Sequence, residues 1–554
     1  MPELTALTEA YYRAWFRFHP EVAVDLGIEG YSHHLTPCDD DDIGALNSLN
    51  EKVLASLDEI DMDALAPAAR TDAWLLYGAA LLELEAQAEH DWRRRDPGRF
   101  LPINAIYQLT LRQVTDMPGA MAARLAAIPG YLREARTFLR EEPEQIPAVW
   151  LESAVTEARH GAEFFRSLYH HPGLPQHHLG SDLETAARAV EEFATFLEQD
   201  IGARATGDFA CGRDYFEMLL KHRHGLALDA DQLHTFGRHL FDITLEALQA
   251  ETRRLQGNDD IQALTARIQA RHPTASQVLP EYRAGMEAAK DFVRAQNLVN
   301  MPPLEQLKVV ETPAFLRHQI PFAAYHEPAP NDPQQAGWYY VTPATSEATL
   351  GEHNVVSLRH TCVHEAWPGH HLQFVSANLN PSAATLPRLT NPSATLYEGW
   401  ALYCEQLMQE QGFLDAPESR FIMLKDRLWR AMRIVLDVEL HTRGLGLDEA
   451  AGRMQAALGF TREQAMADLT WYTQSPTVPM GYATGWALII ATRERLQALE
   501  ADFSLRDFHN HLLAEGSIAL PWVLRSQYGE PLWDSVRRRV FEFPEATAKD
   551  NRTG

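Results

Sequence analysis

The stretch His364-Glu365-Ala366-Trp367-Pro368-Gly369-His370-His371 carries the densest chemistry in this chain. It sets a histidine beside a glutamate and places two more histidines a short step later. In the zinc-hydrolase pattern H-E-x-x-H, two histidines one helical turn apart bind the metal and the glutamate serves as general base. Here the fifth position is Pro368 instead of histidine. His364 and His370 fall at i and i+6, which on a regular helix means about 9 Å of rise and roughly 120° of rotation. An undistorted helix could not bring both to one ion. Pro368, however, cannot donate to the carbonyl of His364, and Gly369 permits backbone angles closed to other residues. A kink is therefore expected between the two histidines, where it would swing the second back. His370 is the favoured ligand, and His371 is its rival.

A catalytic zinc takes three protein ligands and keeps an open position. Glu398, in Tyr397-Glu398-Gly399-Trp400-Ala401-Leu402-Tyr403-Cys404-Glu405, is the third candidate, at the start of an apparent helix. A lone Glu there ordinarily serves only the helix dipole. Glu405 lies two turns further along the same face and is placed to support the site from behind. Arg433, Asp437 and His441 follow at successive i, i+4 spacings, so Asp437 could orient His441 toward a substrate carbonyl. A solvated salt-bridge face explains the same spacing. Tyr482, in a Gly-flanked segment, is a candidate oxyanion donor, although a core tyrosine is the commoner fate. Arg427, Arg430 or Arg433 could hold a peptide carboxylate, and ordinary surface arginines explain them equally well. The pairs His33-His34, His170-His171 and His177-His178 read as loop histidines, without acidic partners at ligand spacing.

The elements that must position these residues are mostly helical. Leu4, Leu7, Tyr11, Trp15 and Phe18 recur at helical spacing, as do Val190, Phe193, Leu197 and Ile201. Near residue 305 the texture changes. Leu307–Val310, Pro321–Tyr325 and Trp338–Val341 are short, rich in β-branched and aromatic residues, and bounded by turn formers, predicting a small sheet. The strand Gly337–Pro343 could offer its edge to an extended peptide, or be an ordinary packed strand. Helical spacing returns from residue 395. The chain thus divides into a helical region, residues 1–300, forming one side of a cleft, and a catalytic region, 301–554, as one continuous unit.

Composition bounds the function. Apolar content of 45% and charged content of 23% are those of a soluble globular protein. A net charge of −27 argues against nucleic acid or an anionic membrane as partner. Cys38, Cys211, Cys362 and Cys404 are widely spaced, so a reducing compartment is expected. The opening residues lack the features of a secretory signal, and the expected location is the cytoplasm.

Taken together, H-E-x-x-P-G-H-H-L-Q (His364–Gln373), E-G-W-A-L-Y-x-E (Glu398–Glu405), D-x-x-L-H-T (Asp437–Thr442) and Y-x-x-G (Tyr482–Gly485) resemble the bacterial family catalogued as domain of unknown function 885. The likeness runs nearly end to end, including Phe18-His19-Pro20 through Gly27 and Phe508 through Gly516. The resemblance implies a gluzincin-type metallopeptidase, distantly similar to the thimet oligopeptidase and angiotensin-converting enzyme groups. It implies a mainly α, zincin-like body with a small β-sheet beside the active-site helix. One zinc ion would be held by His364, His370 and Glu398, with Glu365 as general base and His441 and Tyr482 on the substrate carbonyl. The expected activity is hydrolysis of peptide bonds in short peptides. A metal-dependent hydrolase of a non-peptide amide, and a catalytically silent peptide-binding protein of the same body, are the alternatives. The sequence gives no oligomeric state.

Overall fold

A computed structural model describes residues 2–542 apart from 172, 175, 318, 319 and 321. Pro321, at the start of the second expected strand, and the side chains of His177 and His178 lie outside the described residues. Helix accounts for 70% of the chain and strand for 3%, so the protein is mainly α with one small sheet. Helices fill the first three hundred residues, and two of them, α1 (Ala230–Gln256) and α2 (Ala275–Gln296), run into the site region. The sheet follows as β1 (Gln306–Glu311), β2 (Ala323–His326) and β3 (Ala336–Val341). Then come α3 (Val355–Glu365), α4 (His370–Leu379), α5 (Ala394–Glu410), α6 (Ser419–Thr442) and α7 (Gly481–Leu499).

The strand order is β1-β3-β2, with β3 parallel to β1 and antiparallel to β2. Of the two readings of this strand, β3 is the ordinary packed one. Both its edges are already paired, and the open edges belong to β1 and β2.

The largest apolar core draws on both sides of residue 300. Phe236, Tyr282 and Met286 pack in one cluster with Cys362, Trp367 and Trp400. Residues 100–205, with Val24 and Cys38, build a second core, and the N-terminal helices another around Tyr11, Tyr12 and Phe16. All four cysteines are free thiols. Among the described residues, no helix is long and apolar enough to cross a membrane.

Two local features decide where the chemistry lands. Helix α3 starts because the Asn354 side chain accepts from the Ser357 N–H at 2.9 Å, satisfying a donor that the first turn leaves free. Helices α5 and α7 come into near-contact because glycines face each other. A Cβ on Gly399 would lie 2.5 Å from the Gly485 Cα, and one on Gly485 would lie 2.0 Å from the Thr395 carbonyl oxygen. The glycine after Glu398 and the glycine three residues after Tyr482 therefore let those two side chains meet.

Candidate metal centre

The break between the two histidines is visible. Helix α3 ends at Glu365, Ala366 leaves helical angles (φ −114°, ψ −89°), and α4 restarts at His370. The Trp367-Pro368 peptide is cis. The Gly369 N–H donates to the Val363 carbonyl at 3.0 Å, six residues back, and Leu372 N–H reaches Ala366 O in the same way at 3.2 Å. A Cβ on Gly369 would sit 1.8 Å from the His364 carbonyl oxygen, so only glycine fits this fold-back. The Trp400 indole N–H, on α5, donates to the Pro368 carbonyl at 2.7 Å and fixes the turn from below.

This turn brings the rings of His364 and His370 to 4.8 Å between centroids, nearly perpendicular at 86°. Their Nε2 atoms lie 3.5 and 3.4 Å from one oxygen, Oε2 of Glu398. Two ligand atoms on one tetrahedral zinc, at about 2.0–2.2 Å each, are separated by roughly 3.3–3.5 Å. The observed spacings match that edge. Glu398 Oε2 is buried and has no hydrogen-bond partner among the described residues, although it faces two imidazoles. Among the described residues, this is the only group of three His, Cys, Asp or Glu side chains whose ligand atoms converge, all within 4.8 Å. Two imidazoles and a carboxylate are a donor set that suits zinc. His364 and His370 keep a sliver of exposure, and Glu365, Glu398 and Tyr482 are half-buried, so the group borders solvent.

Behind it, Glu405 accepts from His364 Nδ1–H at 2.8 Å with Oε1 and from His360 Nδ1–H at 3.3 Å with Oε2. The seven-residue step from Glu398 to Glu405 is legible in the sequence; His360, one turn before His364, was missed. Burial by itself would push His364 down, but the carboxylates of Glu398 and Glu405 outweigh it and lift His364 to about 10. Burial likewise opposes the charged form of Glu398, and the two histidines overcome it, holding its carboxyl well below the usual range. Burial raises Glu365, while His364 and His370 pull it back.

His371 turns the other way. Its Nε2–H donates to Glu305 at 3.0 Å, and its Nδ1 pairs with the Tyr325 hydroxyl at 3.0 Å. Lys290 of α2 completes the chain at 2.5 Å from Glu305. His371 thus ties α4 to β2 and α2, and both its ring nitrogens are used. Sequence reasoning could not find Glu305 or Tyr325, which are remote in the chain.

Tyr482 stands beside Glu398, and burial, with that carboxylate adding to it, raises its pKa. Tyr397 lines the same side, with its ring 6.3 Å from His370. His441 is not placed as expected. Its Nε2–H donates to the Tyr472 carbonyl at 3.0 Å, and its Nδ1 accepts from the Cys211 N–H at 3.4 Å, leaving no nitrogen for a substrate. Asp437 lies 3.9 Å from it and is no solvated face. Its oxygens accept the N–H groups of Thr477 and Met480, each at 3.2 Å. The pair is buried and holds the loop that launches α7, and with it Tyr482. Of the arginines, Arg433 is buried, at 5% exposed, and Arg427 and Arg430 are half-buried. The loop histidine His33 pairs with Asp116 at 3.5 Å, half-exposed.

A mostly helical body with a small sheet and a His/His/Glu cluster at a helix break defines the class of this protein. The chain belongs to the family described as bacterial protein of unknown function (DUF885), which it matches over residues 20–527. Its fold is that of two solved structures. A presumed lipoprotein of unknown function from Shewanella oneidensis superposes with a TM-score of 0.76 at 21% identity, over 97% of this chain and 100% of that one. A presumed lipoprotein from Colwellia psychrerythraea gives 0.78 at 18%, over 97% and 99%. A search of curated proteins finds no match.

Proposed function

We propose that this chain is a zinc-dependent hydrolase of peptide bonds in short peptides. The observation that carries the reading is the convergence of His364, His370 and Glu398 at tetrahedral-edge spacing with Glu365 alongside. Zinc, when bound, would supply the Lewis acid that polarises the scissile carbonyl and makes a water acidic enough to attack. Glu365 takes the proton from that water and delivers it to the leaving amine, so the hydroxyl adds to carbon and the hydrogen to nitrogen. Its half-buried setting raises its pKa and makes it a better base than a free carboxylate. The Tyr482 hydroxyl, beside Glu398, donates to the oxyanion of the tetrahedral intermediate. Glu405 and His360 hold His364 with its Nε2 lone pair toward the site. His441 takes no part in the step; with Asp437 it positions the Tyr482 loop.

Glu365→Gln tests this directly. The variant should keep its zinc and lose cleavage of short peptides by at least about 100-fold. Cleavage at the wild-type rate by the zinc-loaded variant would refute the mechanism. Turnover of small non-peptide amides with no turnover of peptides would move the substrate class while leaving the chemistry.

A further inference from the structure

Helix α6 carries two neighbouring guanidinium groups, one of them against Tyr482, and the reaction above uses neither. Arg433 is buried in an aromatic box, 4.2 Å over the ring of Trp429 and 4.5 Å over that of Tyr482. Its Nε–H donates to the Tyr472 hydroxyl at 2.9 Å, and its Nη2 lies 3.8 Å from Asp468. Its Nη1 is buried and has no acceptor among the described residues. Arg430 stacks on Trp429 at 4.4 Å, pairs with Asp426 at 3.5 Å, and likewise has a buried Nε without an acceptor among the described residues. Arg433 thus lies against the ring of Tyr482, whose carboxylate neighbour is Glu398.

An aromatic box fixes a guanidinium without satisfying its donors, and a planar carboxylate is the acceptor its fork matches best. Tyr482 reaches the scissile carbonyl in the proposed reaction. The carboxylate of a C-terminal residue lies about one residue step, roughly 3.8 Å between Cα atoms, beyond that carbonyl. We propose that Arg433, with Arg430 beside it, binds the free C-terminal carboxylate of the substrate, so that the enzyme acts at the C-terminal end of short peptides. This rests on the hydrolase reading for the cleavage position, but the anion site itself does not.

The experiment uses full-length protein and pairs of N-acetylated short peptides that differ only in a free or amidated C-terminus. Binding to the zinc-loaded Glu365→Gln variant is measured by calorimetry, and hydrolysis by wild type is measured in parallel. The free acid should bind at least about 10-fold more tightly, and kcat/KM for it should exceed that for the amide by a similar or larger factor, mainly through KM. In Arg433→Gln the acid-to-amide ratio should fall to within about twofold of unity, and in Arg430→Gln it should fall several-fold. A merely structural role would lower both peptides together and leave the ratio intact. Equal binding of acid and amide by the parent protein overturns the inference, whether or not peptides are cut. Preferential binding of the acid with no cleavage of either peptide would sink the hydrolase reading and leave the anion site standing. Should Arg433→Gln fail to fold, the ratio in Arg430→Gln decides, and an unchanged ratio there overturns the inference.

Discussion

Glu405→Gln separates a supporting carboxylate from a mere filler. Glu405 is 2% exposed and serves two buried imidazoles, His364 at 2.8 Å and His360 at 3.3 Å. Glutamine keeps the volume but offers one acceptor where two are needed, and it turns an N–H group toward the other histidine. One buried donor is then left unpaired, which costs about 1–3 kcal/mol of stability. The loss of the charge-assisted bond to His364 Nδ1 also lets the ring rotate and weakens its Nε2 as a ligand. Removing such an outer carboxylate lowers metal affinity by about 10–100-fold, or about 1.4–2.7 kcal/mol. The two effects are read separately. Urea unfolding of the metal-free protein gives the first, and zinc competition against a chelating dye gives the second. A variant that binds zinc within twofold of wild type would refute the view that Glu405 positions His364. Unchanged metal-free stability would refute the count of unpaired donors.

Further outcomes follow from the same geometry. Gly369→Ala places a methyl 1.8 Å from the His364 carbonyl oxygen and 2.4 Å from that of Val363, both backbone atoms that no rotamer can clear; it should cost about 3 kcal/mol or more and abolish zinc binding, checked by thermal unfolding and metal content. Asp437→Ala strips the acceptor from the buried N–H groups of Thr477 and Met480; it should cost about 1–3 kcal/mol per donor and reduce kcat through a displaced Tyr482, while zinc content stays intact. His353, His441 and His509 are each buried and pushed down by that burial from 6.5 to about 4. The unfolded chain therefore takes up protons first, so stability is full above about pH 6.5 and falls as pH drops toward 4, by about 1.4 kcal/mol per pH unit for each histidine. His353→Asn should flatten the pH dependence of unfolding in that window by about one proton; an unchanged slope would contradict the assignment.

Much of this arrangement was legible in the sequence because it is local. The Pro-Gly step inside the histidine cluster announces a helix break, and the seven-residue step from Glu398 to Glu405 announces one helix face. The three strands and the helical remainder followed from residue type and spacing. What stayed hidden depends on tertiary partners. His370 and His371 are adjacent and chemically alike; only the Glu305–Tyr325 pair, brought from the sheet side, turns His371 away. His441 sits at a spacing that suits a relay, yet the backbone of residues 211 and 472 occupies both its nitrogens. The central place of β3 is a matter of topology, which strand periodicity does not encode. The two readings of the arginines stay level in the sequence because nothing local reveals the ring of Tyr482 arriving from α7 against Arg433.

The central claim is a three-ligand metal site, and metal content tests it most directly. Purified wild-type protein, offered zinc and freed of excess, should hold about one zinc per chain by elemental analysis. That zinc should be lost in folded His370→Ala and Glu398→Ala and kept in His371→Ala. A folded wild-type chain that takes up no zinc, or a His371→Ala variant that loses it while His370→Ala retains it, would contradict the account.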